Sequence, residues 1–190
     1  MELKMFEPIT IGNLKLKNRI VMAPMATRFD ITSPRGIAYY MRRAKGGVGL
    51  IIVEGTSIDN FGLMAFVDDL VPLVDGVHQE GAKIAIQLVV RNETPEGERV
   101  APSATRDARE ITLEEIKDIH SRFGMAALRA EAMGFDAVEI HGAHGFFFSQ
   151  FFSPRTNQRT DRYGGIRENR MRFALECVKA MCKFTGYDFP

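Results

Sequence analysis

Short apolar runs alternate with longer amphipathic stretches along most of the chain. The apolar runs predict buried strands over residues 19–24, 49–54, 82–88 and 137–141. Helical periodicity predicts helices over about 33–45, 68–80, 112–133 and 168–184. Thr112 and Glu115 have the spacing of a capping box at the start of the third helix. Strands that alternate with helices in this way predict a parallel sheet with right-handed crossovers.

The strand ends favour a barrel over a Rossmann-type sheet, which shares the same alternation. No G-x-G-x-x-G follows the first strand, which argues against a dinucleotide-binding fold. The strands end instead in polar or special residues, at 24–27, 54–56, Gln87 and 141–144. Functional groups at the same end of several strands are typical of a (β/α) barrel. Residues 6–18 alternate around a Gly-Asn turn, and the hairpin that they predict could close the bottom of such a barrel.

The predicted fold class is therefore α/β, of the TIM (β/α)8-barrel type, as a single domain over residues 1–190. A complete barrel needs about 250 residues, and the chain supplies only about the first four β/α units, a half barrel with an N-terminal hairpin. Three interpretations stay open. The chain is a fragment, or it pairs with itself or another chain to complete the barrel, or it closes in a different arrangement.

Composition indicates where the protein resides more than what it does. The net charge is +1, which gives no electrostatic argument for binding nucleic acid or a membrane surface. The chain has no run of 18 apolar residues and no apolar signal core near Met1, so we expect a cytoplasmic protein. Cys177 and Cys182 lie five residues apart in a predicted helix, a spacing that favours reduced thiols over a disulfide.

The candidate chemistry lies between residues 135 and 173. His141 and His144 follow the fourth strand, where a histidine is often a structural hydrogen-bonding residue, and no cysteine or carboxylate spacing supports a zinc site. A run of phenylalanines comes next, in which packing is the simpler interpretation. The polar residues that follow are predicted to fasten a loop: Asn157, Arg159, Asp161, Tyr163, Glu168 and Arg170.

Several motifs resemble the flavin-dependent old yellow enzyme family, in particular its 2,4-dienoyl-CoA reductase-like and bile-acid-inducible branches. They are FEPI at 6–9, KNRIVMAPM at 17–25, VEG at 53–55, IQL at 86–88, APS at 101–103 and the whole stretch 135–173. The most specific patterns are H-G-A-H-G, S-P-x-x-N-x-R-x-D-x-Y-G-G and E-N-R-x-R-F. The resemblance covers essentially the whole chain, but only the first half of a typical family barrel.

This resemblance implies an FMN-dependent oxidoreductase that takes electrons from NAD(P)H. Ala23, Pro24, Met25 and Ala26 would pass under the flavin ring, Gly55 would contact it through its backbone, and Gln87 would hydrogen-bond its pyrimidine end. His141 and His144 would donate to the carbonyl oxygen of an α,β-unsaturated substrate, which polarises the double bond for hydride attack. The expected partner is thus a small molecule.

Three departures from the family pattern leave an alternative function open. Phe146 stands where the family usually has a proton-donating tyrosine, and a phenyl ring cannot donate a proton. The family's Q-L-x-H-x-G-R reads Gln87-Leu88-Val89-Val90-Arg91 here. The groups that grip the flavin phosphate in such barrels come from later strands. The alternative is a catalytically impaired half barrel that serves as a structural or assembly element without tight flavin binding. An unrelated phosphate-handling barrel is disfavoured by the strand-four histidines.

Overall fold

The computed structural model describes residues 3–61, 70–94 and 96–190 and contains one four-stranded parallel sheet. Its strands are β3 (Val21–Met22), β4 (Leu50–Ser57), β5 (Lys83–Val89) and β8 (Ala137–Ile140), which are neighbours in that order. The remaining described strands form two two-stranded sheets. These are the antiparallel hairpin β1 (Ile9–Ile11) with β2 (Leu14–Leu16), and the parallel pair β6 (Val100–Ala101) with β7 (Arg109–Glu110).

Helices cover one face of the sheet. They are α1 (Pro34–Lys45), α2 (Ile58–Phe61), α3 (Val71–Gln79), α4 (Leu113–Ala132), α5 (Phe147–Phe152) and α6 (Arg167–Thr185). Ile51, Val53, Ile84 and Ile86 point toward them and are fully buried in the main core. Alternate residues of the same strands face the other way, because side chains of a strand alternate between its two faces. None of the described helices is long and apolar enough to cross a membrane.

The N-terminal hairpin packs on the opposite face of the sheet. Leu14 and Leu16 of β2 form a second apolar cluster with Leu50, Ala85 and Ala137 from three neighbouring strands. In a barrel this face is the interior, and the cluster lies at its amino end, where strands begin. The predicted hairpin and its position at the bottom of the barrel are therefore confirmed.

The alternation of strands and helices is also confirmed, while some boundaries were wrong. The first sheet strand, predicted over 19–24, pairs only through Val21 and Met22, and Pro24 just beyond it has no N–H for a ladder. The helix predicted over 68–80 is described from Val71 to Gln79, and its first residues lie outside the described part. The capping box of Thr112 and Glu115 is present at the start of α4. The short helices α2 and α5 were missed.

Candidate functional site

The carboxyl ends of the four parallel strands bring the predicted site residues to one edge of the sheet. Gln87 of β5 lies opposite Glu139 of β8 in the ladder, and the His141 N–H donates to the Leu88 carbonyl oxygen at 2.9 Å. The ladder between β4 and β5 is irregular between Val53 and Thr56, the stretch that contains Gly55. A bulge at the end of a strand is a common way to re-aim the backbone near a site.

Gly55, Gln87 and His141 come together at this edge. A β-carbon built on Gly55 would lie 3.2 Å from Gln87 Oε1 and 3.8 Å from His141 Cδ2. The first of these distances is tighter than an ordinary van der Waals contact, so a side chain at this position would push against the Gln87 amide. The glycine therefore leaves an exposed stretch of backbone next to both functional side chains.

A hydrogen bond to Glu139 orients the Gln87 amide. Gln87 Nε2 donates to Glu139 Oε1 at 2.7 Å, which leaves Gln87 Oε1 as the group nearest to Gly55. The bond is charge-assisted, and such bonds are stronger than those between neutral groups. Glu139 was not predicted as a site residue. The sequence could have indicated Glu139 through its position two residues after Ala137 in the same strand. This spacing places both side chains on the same, inward face.

Glu54 anchors the segment that follows β3. Its carboxylate accepts hydrogen bonds from the Thr27 backbone N–H and the Thr27 hydroxyl, both at 2.6 Å. These bonds hold the residues between β3 and Thr27, which are Ala23, Pro24, Met25 and Ala26, against the carboxyl end of β4. Met25 is 62% exposed, so the segment presents both backbone and an apolar side chain to the space above the sheet.

The two histidines occupy a tight turn directly after β8. Their ring centroids are 5.2 Å apart, and the Phe146 ring centroid is 4.5 Å from that of His141. The Ala143 N–H donates to His141 Nδ1 at 3.3 Å. In the neutral ring this assigns the proton to Nε2, which makes Nε2 a hydrogen-bond donor. His144 has a φ of 55°, a left-handed conformation that few side chains adopt and that is often found at functional turns.

The loop after α5 is fastened by most of the residues predicted for that role. Asn157 Nδ2 donates to the Phe151 and Tyr163 carbonyl oxygens, each at 2.8 Å. The Arg159 side chain is only 3% exposed and donates to the carbonyl oxygens of Pro102 and Ile111, also at 2.8 Å.

Arg159 also pairs with Asp161, and its hydrogen bonds hold the pKa of that carboxyl below its ordinary value. Arg170 donates to the Phe152 carbonyl oxygen at 2.8 Å. The prediction was wrong for Glu168, because it forms an ion pair with its neighbour Arg167, and both side chains are well exposed at the start of α6.

The geometry at this edge fits a flat, polar ring such as that of a flavin. The missing β-carbon of Gly55, the oriented Gln87 amide and the backbone of 23–26 surround one exposed surface. Glu139 engages the amide nitrogen of Gln87, which leaves Oε1 as the amide atom that can accept from a ring N–H. Within 3–61, 70–94 and 96–190, no group of three or more His, Cys, Asp or Glu side chains is arranged to hold a metal ion.

A four-stranded parallel sheet with helices on one face and polar groups at its carboxyl edge defines the class as a fold of the TIM-barrel type. Residues 4–189 match the model of the NADH:flavin oxidoreductase / NADH oxidase family, and the chain belongs to that family. The old yellow enzyme resemblance of the sequence motifs is thereby confirmed, as is the barrel-type fold class.

Curated relatives agree with this assignment and extend well beyond the chain. It is 43% identical to an NADH oxidase of Thermoanaerobacter brockii, with 98% of this chain and 33% of the relative aligned. It is 44% identical to an NADPH dehydrogenase of Clostridium acetobutylicum, with 94% of this chain and 60% of the relative aligned. The chain thus spans between a third and three-fifths of the length of these two relatives.

Solved structures give the same picture. Morphinone reductase in complex with tetrahydroNAD matches with a TM-score of 0.86 and 33% identity, over 99% of this chain and 62% of that one. A 2-naphthoyl-CoA reductase matches with a TM-score of 0.90 and 29% identity, over 98% of this chain and 34% of that one. An old yellow enzyme from Pichia sp. matches with a TM-score of 0.87 and 30% identity, over 98% and 58%.

Proposed function

We propose that the chain carries the flavin face and the substrate-polarising histidines of an FMN-dependent ene-reductase. The reaction is the reduction of a C=C bond conjugated to a carbonyl, with electrons from NAD(P)H. The observation that carries this proposal is the meeting of Gly55, the oriented Gln87 amide and the His141 ring at one sheet edge. The family assignment and the reductases among the structural neighbours support the same reaction class.

The cofactor contacts follow from the groups that face this edge. Ala23, Pro24, Met25 and Ala26 would support one side of the FMN ring, and Gly55 would allow close approach of the backbone. Gln87 would accept a hydrogen bond from the ring through Oε1, while Glu139 fixes the amide. Bound FMN would supply the hydride chemistry that no side chain of this chain can perform.

His141 and His144 would hold and polarise the substrate carbonyl. His141 presents Nε2–H as a donor because Ala143 occupies Nδ1. A donor aimed at the carbonyl oxygen stabilises the negative charge that develops there during hydride addition to the alkene. Neither histidine needs to act as a nucleophile in this role. The substrate class is therefore an α,β-unsaturated carbonyl compound.

Phe146 favours a second candidate, a catalytically impaired half barrel with a structural or assembly role. Its ring lies beside His141, where a proton donor to the substrate carbon would be useful, and it has no proton to give. The chain also aligns with at most about three-fifths of the curated relatives described above. Tight flavin binding separates the two candidates.

The test is a titration of the purified chain with FMN, followed by flavin fluorescence. The ene-reductase predicts saturable, stoichiometric binding that is weakened about tenfold or more in Gln87→Leu, because a flavin-facing hydrogen bond is lost. Gln79→Leu, which changes an exposed glutamine of α3, is the matched control and should bind like the parent chain. Absence of binding at micromolar FMN would favour the structural candidate. Equal binding by all three proteins would show that the flavin does not contact Gln87 and would contradict the proposed site.

Two further parts of the proposal concern the setting of the chain. We place it in the cytoplasm, where Cys177 and Cys182, which lie five residues apart in α6, would stay reduced. We also propose a homo-oligomer that completes the barrel, because β3 and β8 each have only one neighbour in the described sheet.

A further inference from the structure

A cleft of about 770 Å³ lies beside Phe146 at the same edge of the sheet. This volume falls within the range of ligand sites, about 300–1,000 Å³. Its walls come from the loop between β5 and α4 and from the segment between β8 and α6, including Gly145 and Phe146. Since the Phe146 ring contacts His141, the cleft adjoins the proposed substrate site.

Arginine side chains dominate the charge of this cleft. Arg91, Arg99 and Arg155 line it, together with the carboxylates of Glu93 and Asp107. Arg91 and Glu93 form an ion pair at 3.4 Å and largely offset each other. Among the residues that the structure describes, no carboxylate forms an ion pair with Arg99 or Arg155.

Guanidinium groups without a carboxylate partner in the described part of the chain, in a ligand-sized cleft, favour an anionic occupant. The planar fork of arginine matches the oxygens of a carboxylate or a phosphate, and it binds them through two parallel hydrogen bonds. The single uncommitted carboxylate, Asp107, leaves the Arg99 and Arg155 pair in excess by one positive charge. An anionic group between the two arginines would bring the local charge to balance.

We propose that Arg99 and Arg155 bind a carboxylate or phosphate group of the ligand whose reacting part lies at His141 and His144. This inference rests on the proposed function and adds a specificity that the function does not require. The anion has two sources, an acidic group on the unsaturated substrate or the 2′-phosphate of NADPH. Both sources present the same oxygens to the guanidinium groups.

Binding titrations by calorimetry, in the presence of saturating FMN, test the inference with two matched ligand pairs. The first pair is cinnamaldehyde and 4-carboxycinnamaldehyde, and the second is NADH and NADPH. In one of the two pairs, we expect the ligand that carries the additional anionic group to bind at least about tenfold more tightly than the ligand that lacks it. Preference within the first pair assigns the anion to the substrate, and preference within the second assigns it to NADPH.

The double variant Arg99→Gln/Arg155→Gln should abolish the preference, while affinity for the other member of the pair stays within about twofold. The control is Lys179→Gln/Lys183→Gln, which removes the same two charges from exposed positions of α6 and should keep the preference. The inference is overturned if neither pair shows a preference, or if the double variant retains it.

The titration needs no turnover, so the two proposals can fail separately. An arginine-dependent anion preference in a chain that reduces no unsaturated carbonyl would reject the proposed function and leave the anion site standing. Reduction of cinnamaldehyde and its carboxylated analogue with equal affinity, and with no NADPH preference, would reject the anion site alone.

Discussion

At the scale of single residues, two carboxylates form hydrogen bonds that position the site and that the sequence motifs did not predict. Glu139 fixes the Gln87 amide, and Glu54 anchors Thr27 beyond the end of β3. The motifs did lead to Gly55, Gln87 and His141, whose proximity the structure then established. A glutamate inside an apolar strand has no local signature of its partner, because the partner lies across the ladder, 52 residues away in the chain for Gln87.

The residue at position 146 determines whether a side chain can donate a proton to the substrate carbon. We predict that Phe146→Tyr accelerates reoxidation of the reduced flavin by an α,β-unsaturated carbonyl compound by about a hundredfold or more. The ring is 40% exposed and adjoins His141, so an added hydroxyl has room and faces the proposed site. Stopped-flow absorbance of the flavin measures this half-reaction separately from reduction by NAD(P)H.

The control for this prediction is Phe146→Leu, which changes the packing but adds no group that can donate a proton. It should leave the rate of reoxidation within a few-fold of the parent chain, and flavin reduction should be similar in all three proteins. Equal reoxidation rates for Phe146→Tyr and Phe146→Leu would mean that the proton comes from water or another group.

At the scale of elements, the start of α4 combines a capping box with an ion pair. Glu115 accepts from the Thr112 backbone N–H at 2.8 Å and receives hydrogen bonds from the Arg109 guanidinium at 2.5 and 2.9 Å. The Arg109 hydrogen bonds lower the pKa of Glu115 from 4.5 to about 2. The sequence predicted the capping box from its spacing, but not the arginine, which precedes the helix on the short strand β7.

Because of this lowered pKa, the free energy of unfolding depends on pH in the acid range. The folded state holds fewer protons at Glu115 than the unfolded state, so the stabilisation is fully present above pH 4.5 and is lost as the pH falls toward about 2. We predict that the parent chain loses more free energy of unfolding between neutral pH and about pH 3 than Glu115→Gln does. Urea unfolding followed by circular dichroism at both pH values measures the difference.

Glu114→Gln provides the comparison, because the Glu114 side chain is 80% exposed and its ion pair is with the exposed Lys117. It should keep the acid dependence of the parent chain. If Glu115→Gln and Glu114→Gln show the same loss on acidification, the Arg109 contact does not contribute to acid stability.

The loop between α5 and α6 is a second element whose stability depends on one side chain. Replacing buried Arg159 with methionine would remove the donor to the Pro102 and Ile111 carbonyl oxygens and the cationic partner of Asp161. We predict a loss of about 2–4 kcal/mol in the free energy of unfolding, because two carbonyl oxygens lose their donor. Arg167→Met, at an 81% exposed position, should change it by about 0.5 kcal/mol or less. Thermal unfolding of both variants tests this, and a small effect at Arg159 would show that the loop is fastened elsewhere.

At the scale of the whole molecule, the alternation of strands and helices was enough to predict a parallel barrel-type sheet. Hydrophobic periodicity gives the order of elements, and polar strand ends give the functional edge. Periodicity could not give the length of β3, which depends on how far β4 pairs with it. It also missed α5, since Phe147, Phe148 and Phe151 read as a packing patch, although they are buried on one side of a single short helix.

The edges of this sheet lead to a prediction about association. The backbone N–H of Val138 in β8 donates to the Pro190 carbonyl oxygen at 3.0 Å, but β8 has β5 as its single strand neighbour in the described sheet. Apolar side chains lie close to both edges, with Val21 and Val178 each 43% exposed. Val178 also borders a cleft with Val138 and Ile140 of β8. Strand edges that lack a second strand neighbour and are flanked by apolar surface favour pairing with another chain.

We therefore predict that the purified chain associates with further copies of itself, in a way that Val178→Lys weakens. A lysine there would place an unpaired charge against the edge of β8, which costs free energy in a buried interface. Leu128→Lys changes a residue of α4 that is 42% exposed and should leave association unchanged. Light scattering coupled to size exclusion measures the mass. A stable monomer of 21.3 kDa at all concentrations would rule out self-completion of the barrel, and equal association by both lysine variants would place the interface elsewhere.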